Sequence, residues 1–371
     1  MGDQLLQHGD TTAHRGGIGC QGAGRAADVE AGHALRLIAE AWQGSGLACH
    51  RQVVGGRSMT LAYERLDGLM AAQVTPFTEG GRDVDVDWIE PHVEFLRSMG
   101  ITGILTLGTN GEGPSVGMDE RRRVIEAVKQ ASRGIGGGLV VVAGATCPSL
   151  PDTIRAANDA LDAGADAVAL LPPFFFKNVD SRGMIEWFSA VIESLPSQGR
   201  ALLYNMPAQA GIDIPDDVLA GSLRRHPDQL MGIKDSGGDA ERTGRYMAQV
   251  PTEGPGSEFR VMAGSDSAHA ALYQAGCVGG VSGMANAVPA LVKTIQFAHR
   301  EGGQPHRPQD QLNELHAILN LFPRVGALKQ LVSITSGLPL THTRPPYRDL
   351  DPHEVTALEE AVGQYLIGEA V

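Results

Sequence analysis

One lysine in this chain stands where it could act as a nucleophile. Leu230-Met231-Gly232-Ile233-Lys234 is a short apolar run that ends in an ammonium and then breaks into Asp235-Ser236-Gly237-Gly238. That is the pattern of a buried parallel strand delivering its last side chain to a pocket. Loss of hydration at such a position favours the free amine, which can attack a carbonyl and form a Schiff base. Of the five lysines, Lys129 and Lys293 fall among polar neighbours in helical stretches and read as solvated, while Lys329 lies in a late helical segment. Lys177, directly after Phe174-Phe175-Phe176, is the serious competitor. The residues alone leave open a strand-end lysine that is paired with a carboxylate and does no chemistry.

Three other stretches offer groups that suit a carbonyl substrate. Gly108-Thr109-Asn110-Gly111-Glu112-Gly113 follows an apolar run, and its glycines would expose backbone N–H groups beside two short polar side chains. This is a nest for an anion. The GK[ST] ending of a P-loop is missing, so a carboxylate suits it better than a triphosphate; a plain tight turn has the same letters. Tyr204, at the end of Ala201-Leu202-Leu203-Tyr204-Asn205, could pass a proton to or from a substrate hydroxyl, although a core tyrosine would look alike. Gly264-Ser265-Asp266 and Val278-Gly279-Gly280-Val281-Ser282-Gly283 lack bulk where a ligand could approach the backbone, with Gly264 and Val281 at the expected mouth. The three phenylalanines read as a packed wall or a contact between copies.

These groups need a scaffold that gathers strand ends. From Gly68 onward the sequence repeats apolar strand, glycine or polar turn, and amphipathic helix. The strands read as Leu69 to Thr75, Ile101 to Leu107, Leu139 to Ala145, Ala167 to Leu171, Ala201 to Asn205, Leu230 to Lys234, Phe259 to Ala263 and Val278 to Met284. One intervening helix is opened by Ser149, closed by Gly164 and has Leu150, Ile154, Ala157 and Leu161 at helical spacing. Eight such units predict a (β/α)8 TIM barrel of the α/β class, with active groups at the carboxyl ends of its strands. Ala290 to His299 reads as the eighth helix. Past the polar linker at Gly302-Gly303-Gln304-Pro305, a C-terminal helical appendage is expected over Asp310 to Leu321, Val325 to Thr335 and His353 to Tyr365.

Composition bounds the partners. A net charge of -13 and an isoelectric point near 5.4 argue against nucleic acid and anionic membrane surfaces. Cys20, Cys49, Cys147 and Cys277 form no CxxC pair and no disulfide framework, which fits a reducing compartment. No apolar run reaches membrane-spanning length and no secretory signal opens the chain, so a cytoplasmic protein is expected. No HExxH or similar ligand spacing occurs, and neither a metal nor an organic cofactor is expected. Residues 1–58 contain no lysine, and their five acids are matched by five arginines, so the negative charge lies beyond them. Gly17-Ile18-Gly19-Cys20-Gln21-Gly22 spells GxGxxG without a preceding strand. The reading is an extension over 1–58, holding at most a short helix across Ala34 to Trp42, then a barrel over 59–302 and the helical segment over 303–371, with Met59 as an alternative start.

Taken in order, Val74-Thr75-Pro76-Phe77, Gly108-Thr109-Asn110-Gly111-Glu112, Tyr204-Asn205-Met206-Pro207, Gly232-Ile233-Lys234-Asp235 and Ala263-Gly264-Ser265-Asp266 are a specific set. From about Leu69 to Tyr347 the chain resembles the dihydrodipicolinate synthase / N-acetylneuraminate lyase superfamily of pyruvate-dependent class I aldolases. The resemblance implies Lys234 as the Schiff-base lysine and Tyr204 as proton relay. It implies Thr109 and Asn110, with Gly108, as the carboxylate holder, Thr109 also aligning the tyrosine.

Three positions depart from the synthases. Gln209 stands where they usually carry an arginine for the second substrate's carboxylate, Phe174 and Phe175 stand where they lend a tyrosine across a dimer, and Asn110 replaces a Thr or Ser. The runs Thr109-Asn110-Gly111-Glu112 and Lys234-Asp235-Ser236-Gly237-Gly238-Asp239 look instead like those of 4-hydroxy-2-oxoglutarate and 2-keto-3-deoxy acid aldolases. The expectation is therefore a lyase that releases pyruvate and an aldehyde from a 4-hydroxy-2-oxo acid, assembled as a homotetramer or homodimer. A 4-hydroxy-tetrahydrodipicolinate synthase or a 2-keto-3-deoxy acid dehydratase could use the same imine, and a non-catalytic 2-oxo acid sensor is the alternative from another class.

Since residues 1–58 contribute no strand to the barrel rhythm, a chain begun at Met59 is expected to fold and to keep full activity. Aggregation or loss of turnover in that shortened chain would make the segment part of the barrel's packing.

Overall fold

The apolar runs form strands that are buried on both faces, as parallel strands under a layer of helices must be. The computed structural model describes residues 64–134, 138–145 and 147–368. Within them lie β1 (Leu69–Ala72), β2 (Gly103–Thr106), β3 (Val140–Gly144), β4 (Ala167–Leu170), β5 (Ala201–Asn205), β6 (Leu230–Asp235), β7 (Arg260–Ala263) and β8 (Gly279–Ser282). Each pairs in parallel with the next, and β8 returns to β1 to close the barrel. The fold is the expected TIM barrel. The expected extension over 1–58 and the start at Met59 lie outside the described residues.

Side chains alternate across each strand. Met70, Leu105, Val142, Ala169, Leu202, Tyr204, Met262 and Val281 pack together inside the barrel. Neighbours such as Ile104, Val141 and Leu203 are equally buried on the outer face. At the β5–β6 seam the alternation is broken once: Ala201 pairs with Leu230 but Leu202 pairs with Gly232, so β6 carries one extra residue there. The irregularity is a β-bulge, and it shifts the side-chain parity of everything beyond it. Met231 therefore packs in the interior cluster, and Lys234, three residues later, is also turned inward against Tyr204.

The outer helices are α1 (Ile89–Ser98), α2 (Met118–Ala131), α3 (Leu150–Asp162), α4 (Ser181–Ser194), α5 (Asp216–Arg225), α6 (Ala240–Met247), α7 (His269–Gln274) and α8 (Pro289–Arg300). Three of them start after short polar caps: Ser149 accepts from Asp152 N, Asp180 from Gly183 N, and Asp239 from Glu241 N and Arg242 N. In α3 the face turned inward is Thr153, Ala156, Ala157 and Ala160, whereas the expected Leu150, Ile154 and Leu161 are half-buried at its edge. Small side chains allow that helix close to the strands, which a reading by hydrophobic size overlooks.

The appendage is α9 (His306–Leu319), α10 (Arg324–Ser336) and α11 (Pro352–Gly368). Helix α10 is buried along an unbroken run from Val325 to Val332, and Gly337, in the left-handed region at φ 72°, ends it. The segment between α10 and α11 then returns to the start of the barrel as a strap. Phe77 N donates to Thr341 Oγ1 at 3.0 Å, His342 N donates to Phe77 O at 3.2 Å, and Trp88 Nε1 donates to Pro339 O at 2.7 Å.

Asp266 joins the ends of β7 and β8. It accepts from Ser282 Oγ at 2.5 Å, Gly283 N at 3.1 Å, Met284 N at 3.2 Å and His269 Nε2 at 3.4 Å. Burial works to raise its pKa, but the hydrogen bonds from His269 and Ser282 outweigh it and hold the carboxyl at about 2. A depressed carboxylate stabilises the fold above its unfolded value near ~4, by about 2 kcal/mol here, and that contribution disappears as pH falls toward 2. Asp266→Asn is therefore expected to lower unfolding free energy by about that amount at pH 7, with the gap to wild type closing below about pH 4. Denaturant titrations at pH 7 and pH 3 check this; a gap independent of pH would remove the ionised carboxylate from the account.

Candidate active site

The strands bring Lys234 and Tyr204 side by side. Their Cα atoms are register partners across the β5–β6 seam, and Lys234 Nζ lies 4.2 Å from the centroid of the Tyr204 ring. Both are buried, Lys234 only 4% exposed. The Tyr204 phenol is in turn hydrogen-bonded to the Thr109 hydroxyl at 3.2 Å. An amine, a phenol and a hydroxyl in this sequence can form an imine and move a proton at the same centre.

The polar neighbours on the outer face hold these strand ends in place. Asp235 is completely buried; its Oδ1 accepts from Asn205 Nδ2 at 3.0 Å and Gly237 N at 3.0 Å, its Oδ2 accepts from Thr243 Oγ1 at 3.2 Å, and Arg242 Nε lies 3.5 Å away. Asn205 Oδ1 accepts from Ile214 N at 3.0 Å. Gly264 serves the lysine directly: a Cβ there would lie 2.9 Å from Lys234 Cγ and 2.9 Å from Asp235 O. Only glycine leaves a path for the lysine stem. Val281 sits below, in the interior cluster, as a packed apolar floor.

The turn after β2 is held in a conformation that non-glycine residues avoid. Leu107 and Glu112, at its two ends, have φ of 56° and 49°. Glu112 N donates to Thr109 O at 3.1 Å and Gly113 N to Gly108 O at 3.1 Å. Thr75 Oγ1 donates to Gly111 O at 2.5 Å, and Gly111 has no room for a Cβ, which would come 2.8 Å from Gln73 O. Asn110 is half-buried, its amide turned toward Gly283.

A cleft of about 230 Å³ opens beside Thr109 and Tyr204. Its wall includes Gly108, Thr109, Tyr204 and Gln209, four of the expected residues, together with Ser115, Phe174, Pro346 and Tyr347. Lys234, Asn110, Gly264 and Val281, also expected at the site, are not among the residues that line it; Lys234 adjoins it through the Tyr204 ring. Among the described residues no group of three or more His, Cys, Asp or Glu side chains converges on one point, and no helix is long and apolar enough to cross a membrane.

The other lysines divide differently from the expectation. Lys177 is an exposed side chain whose Nζ donates to Phe174 O and Ala210 O beside the cleft. Lys129 is paired with Asp166 at 2.7 Å. Lys293, read as solvated, is half-buried with Nζ donating to Met99 O at 3.1 Å, and burial lowers its pKa. Lys329 is the most hidden, 1% exposed, and pairs with Glu112 at 2.6 Å. Burial pulls its pKa down against the attraction of Glu112.

Sequence reasoning missed Lys329, Ser115, Pro346 and Tyr347 as parts of this region. A lone lysine inside the all-round apolar run of α10 was the available signal for the first. The strap residues carried none, since only the return of the chain brings them near.

Residues 65–365 match the dihydrodipicolinate synthetase family. An uncharacterised DapA-like lyase of Chloroflexus aurantiacus is 35% identical over 301 residues, covering 81% of this chain and 97% of its own. A 4-hydroxy-tetrahydrodipicolinate synthase of Rhizobium meliloti is 30% identical over 297 residues, 80% of this chain and 97% of its own. Among solved structures, a sialic acid aldolase of Ruminococcus gnavus shares the fold with TM-score 0.75 at 20% identity, over 85% of this chain and 99% of its own. KD(P)GA from T. tenax is 26% identical with TM-score 0.70, over 81% and 99% of the two chains. With the family matched from residue 65 to residue 365 and the lyase relative aligned across 81% of this chain and 97% of its own, this chain belongs to the dihydrodipicolinate synthetase family and is a lyase of that family.

Proposed function

We propose that the chain is a Schiff-base aldolase that cleaves a 4-hydroxy-2-oxo acid to pyruvate and an aldehyde. The amine of Lys234 adds to the C2 ketone, and loss of water gives a protonated imine, an electron sink. Tyr204 takes the proton of the C4 hydroxyl as its own proton passes toward Thr109; the C3–C4 bond breaks, its electrons pass into the enamine, and the aldehyde leaves. Tyr204 returns that proton to C3 of the enamine, and hydrolysis of the imine by water releases pyruvate and restores the lysine. Thr109 orients the phenol, while Gly108, Thr109 and Asn110 receive the carboxylate.

One observation carries the choice of substrate: the wall above Tyr204 offers Gln209, Ser115 and Tyr347, neutral hydrogen-bonding groups suited to an aldehyde bearing hydroxyls. The solved structure described as KD(P)GA from T. tenax, at 26% identity, supports the same reading. The relative described as 4-hydroxy-tetrahydrodipicolinate synthase favours a second one, condensation of pyruvate with aspartate semialdehyde. Gln209 weighs against it, because a neutral amide gives up the charge-assisted bonds an arginine would make to a second carboxylate. Phe175 and Phe176, 71% and 64% exposed, support association of copies into a homodimer or homotetramer.

Borohydride added with pyruvate is expected to leave one adduct, on Lys234, and Lys234→Ala to abolish both label and turnover. A label on Lys177 would overturn the assignment. Tyr204→Phe is expected to lower turnover by ~10² to 10⁴ while pyruvate is still trapped, the range general acid–base groups supply; unchanged kcat would remove the phenol from the mechanism. In side-by-side rates, neutral hydroxyaldehydes should exceed aspartate semialdehyde by at least about tenfold in kcat/KM, and Gln209→Arg should narrow that ratio. Preference of the wild type for aspartate semialdehyde would replace the aldolase reading with the synthase.

A further inference from the structure

The buried pair Lys329–Glu112 uses every bond it has on two pieces of backbone. Lys329 Nζ donates to Glu112 Oε1 at 2.6 Å, to Thr75 O at 2.7 Å and to His342 O. The other oxygen of Glu112 accepts from Arg344 N at 2.9 Å. The three protons of the ammonium and both carboxylate oxygens are thus engaged, with the lysine 1% exposed and the carboxylate fully enclosed.

Such a pair is a poor device for stability alone. Desolvating two charges costs about as much as their attraction returns, and apolar replacements of similar volume are often neutral. What the pair does have is direction. Glu112 is the last residue of the turn that carries Gly108, Thr109 and Asn110, and it is held at φ 49°, a conformation that persists only where the surroundings impose it. Lys329 also fixes Thr75, whose hydroxyl holds the carbonyl of Gly111 in the same turn. The ammonium therefore anchors the turn at two points from a helix lying outside the barrel's strand–helix repeat.

We propose that Lys329, acting through Glu112, is a positioning residue for the substrate carboxylate: it sets the backbone of the turn after β2 in the form that receives the carboxylate. The inference rests on the reading of that turn as the carboxylate site of a 2-oxo acid aldolase. It assigns the C-terminal helical segment a part in substrate binding. Lys329 itself touches no reacting atom.

The test compares borohydride trapping of two carbonyl compounds on Lys234, pyruvate with a carboxylate and hydroxyacetone without one. In the charge-free pair Glu112→Gln/Lys329→Met, the pyruvate concentration for half-maximal trapping is expected to rise about tenfold or more, while that for hydroxyacetone changes less than about twofold. Glu112→Asp keeps the charge and shortens the tether by one carbon, so no buried ammonium is orphaned; a smaller loss confined to pyruvate is expected. A general loosening of the barrel would weaken both compounds together, and that outcome, or no change in either, overturns the positioning role. Failure of the wild type to be labelled by pyruvate would instead overturn the aldolase reading, and the inference with it.

Discussion

A single extra residue in β6 decides what faces the inside of this barrel. Successive side chains on a strand point to opposite faces, so without the irregularity opposite Ala201 and Leu202, Tyr204 would stand beside Ile233 and Lys234 would turn outward. With it, Tyr204 and Lys234 are partners on the inner face, and Asn205 and Asp235 are partners on the outer face. Both pairs matter. The inner one can do chemistry on a carbonyl, and the outer one ties the two strands to Ile214, Thr243 and Gly237 so that the inner pair keeps its spacing. Gly232 occupies the irregular position, where a Cβ would run into Arg260 O of the next strand.

The site is built outward from that seam. Tyr204 fixes Thr109 through one hydrogen bond, and the turn carrying Thr109 is fixed at its far end by Glu112. On the other side Gly264 makes room for the lysine stem, and Asp266 stitches β7 to β8 so that Gly283 stays under Asn110. The polar groups behind the Lys234–Tyr204 pair are engaged with one another and with backbone. This is the arrangement in which a scaffold supplies precision and leaves specificity to the rim.

Much of this was legible in the sequence. The eight strands were, because parallel strands covered on both faces read as unbroken apolar runs, and β5 begins and ends where Ala201 and Asn205 mark it. Lys234 was legible as a lysine at the end of such a run, and Ser149 as a cap. The inward face of α3 was not, because close packing selected Thr153 and three alanines over the larger Ile154 and Leu161. Neither was the Lys329–Glu112 pair: its members are 217 residues apart, and no local pattern couples a turn after β2 to a helix beyond the barrel. The bulge left one faint mark, a glycine within an apolar strand.

That separation has a temporal side. During synthesis the chain emerges from its amino end, and all eight strands, with Tyr204 and Lys234 among them, precede Lys329 and Arg344 in order of appearance. Contacts between distant parts of a chain are the slow ones to form, since the loop between them must close first. The turn carrying Thr109 thus receives the anchors Lys329 and Arg344 only after all eight strands have been made. A barrel with every strand in place but without α10 and the strap still lacks the anchors of its own turn, so the neighbourhood of Thr109 is completed by residues that no strand carries.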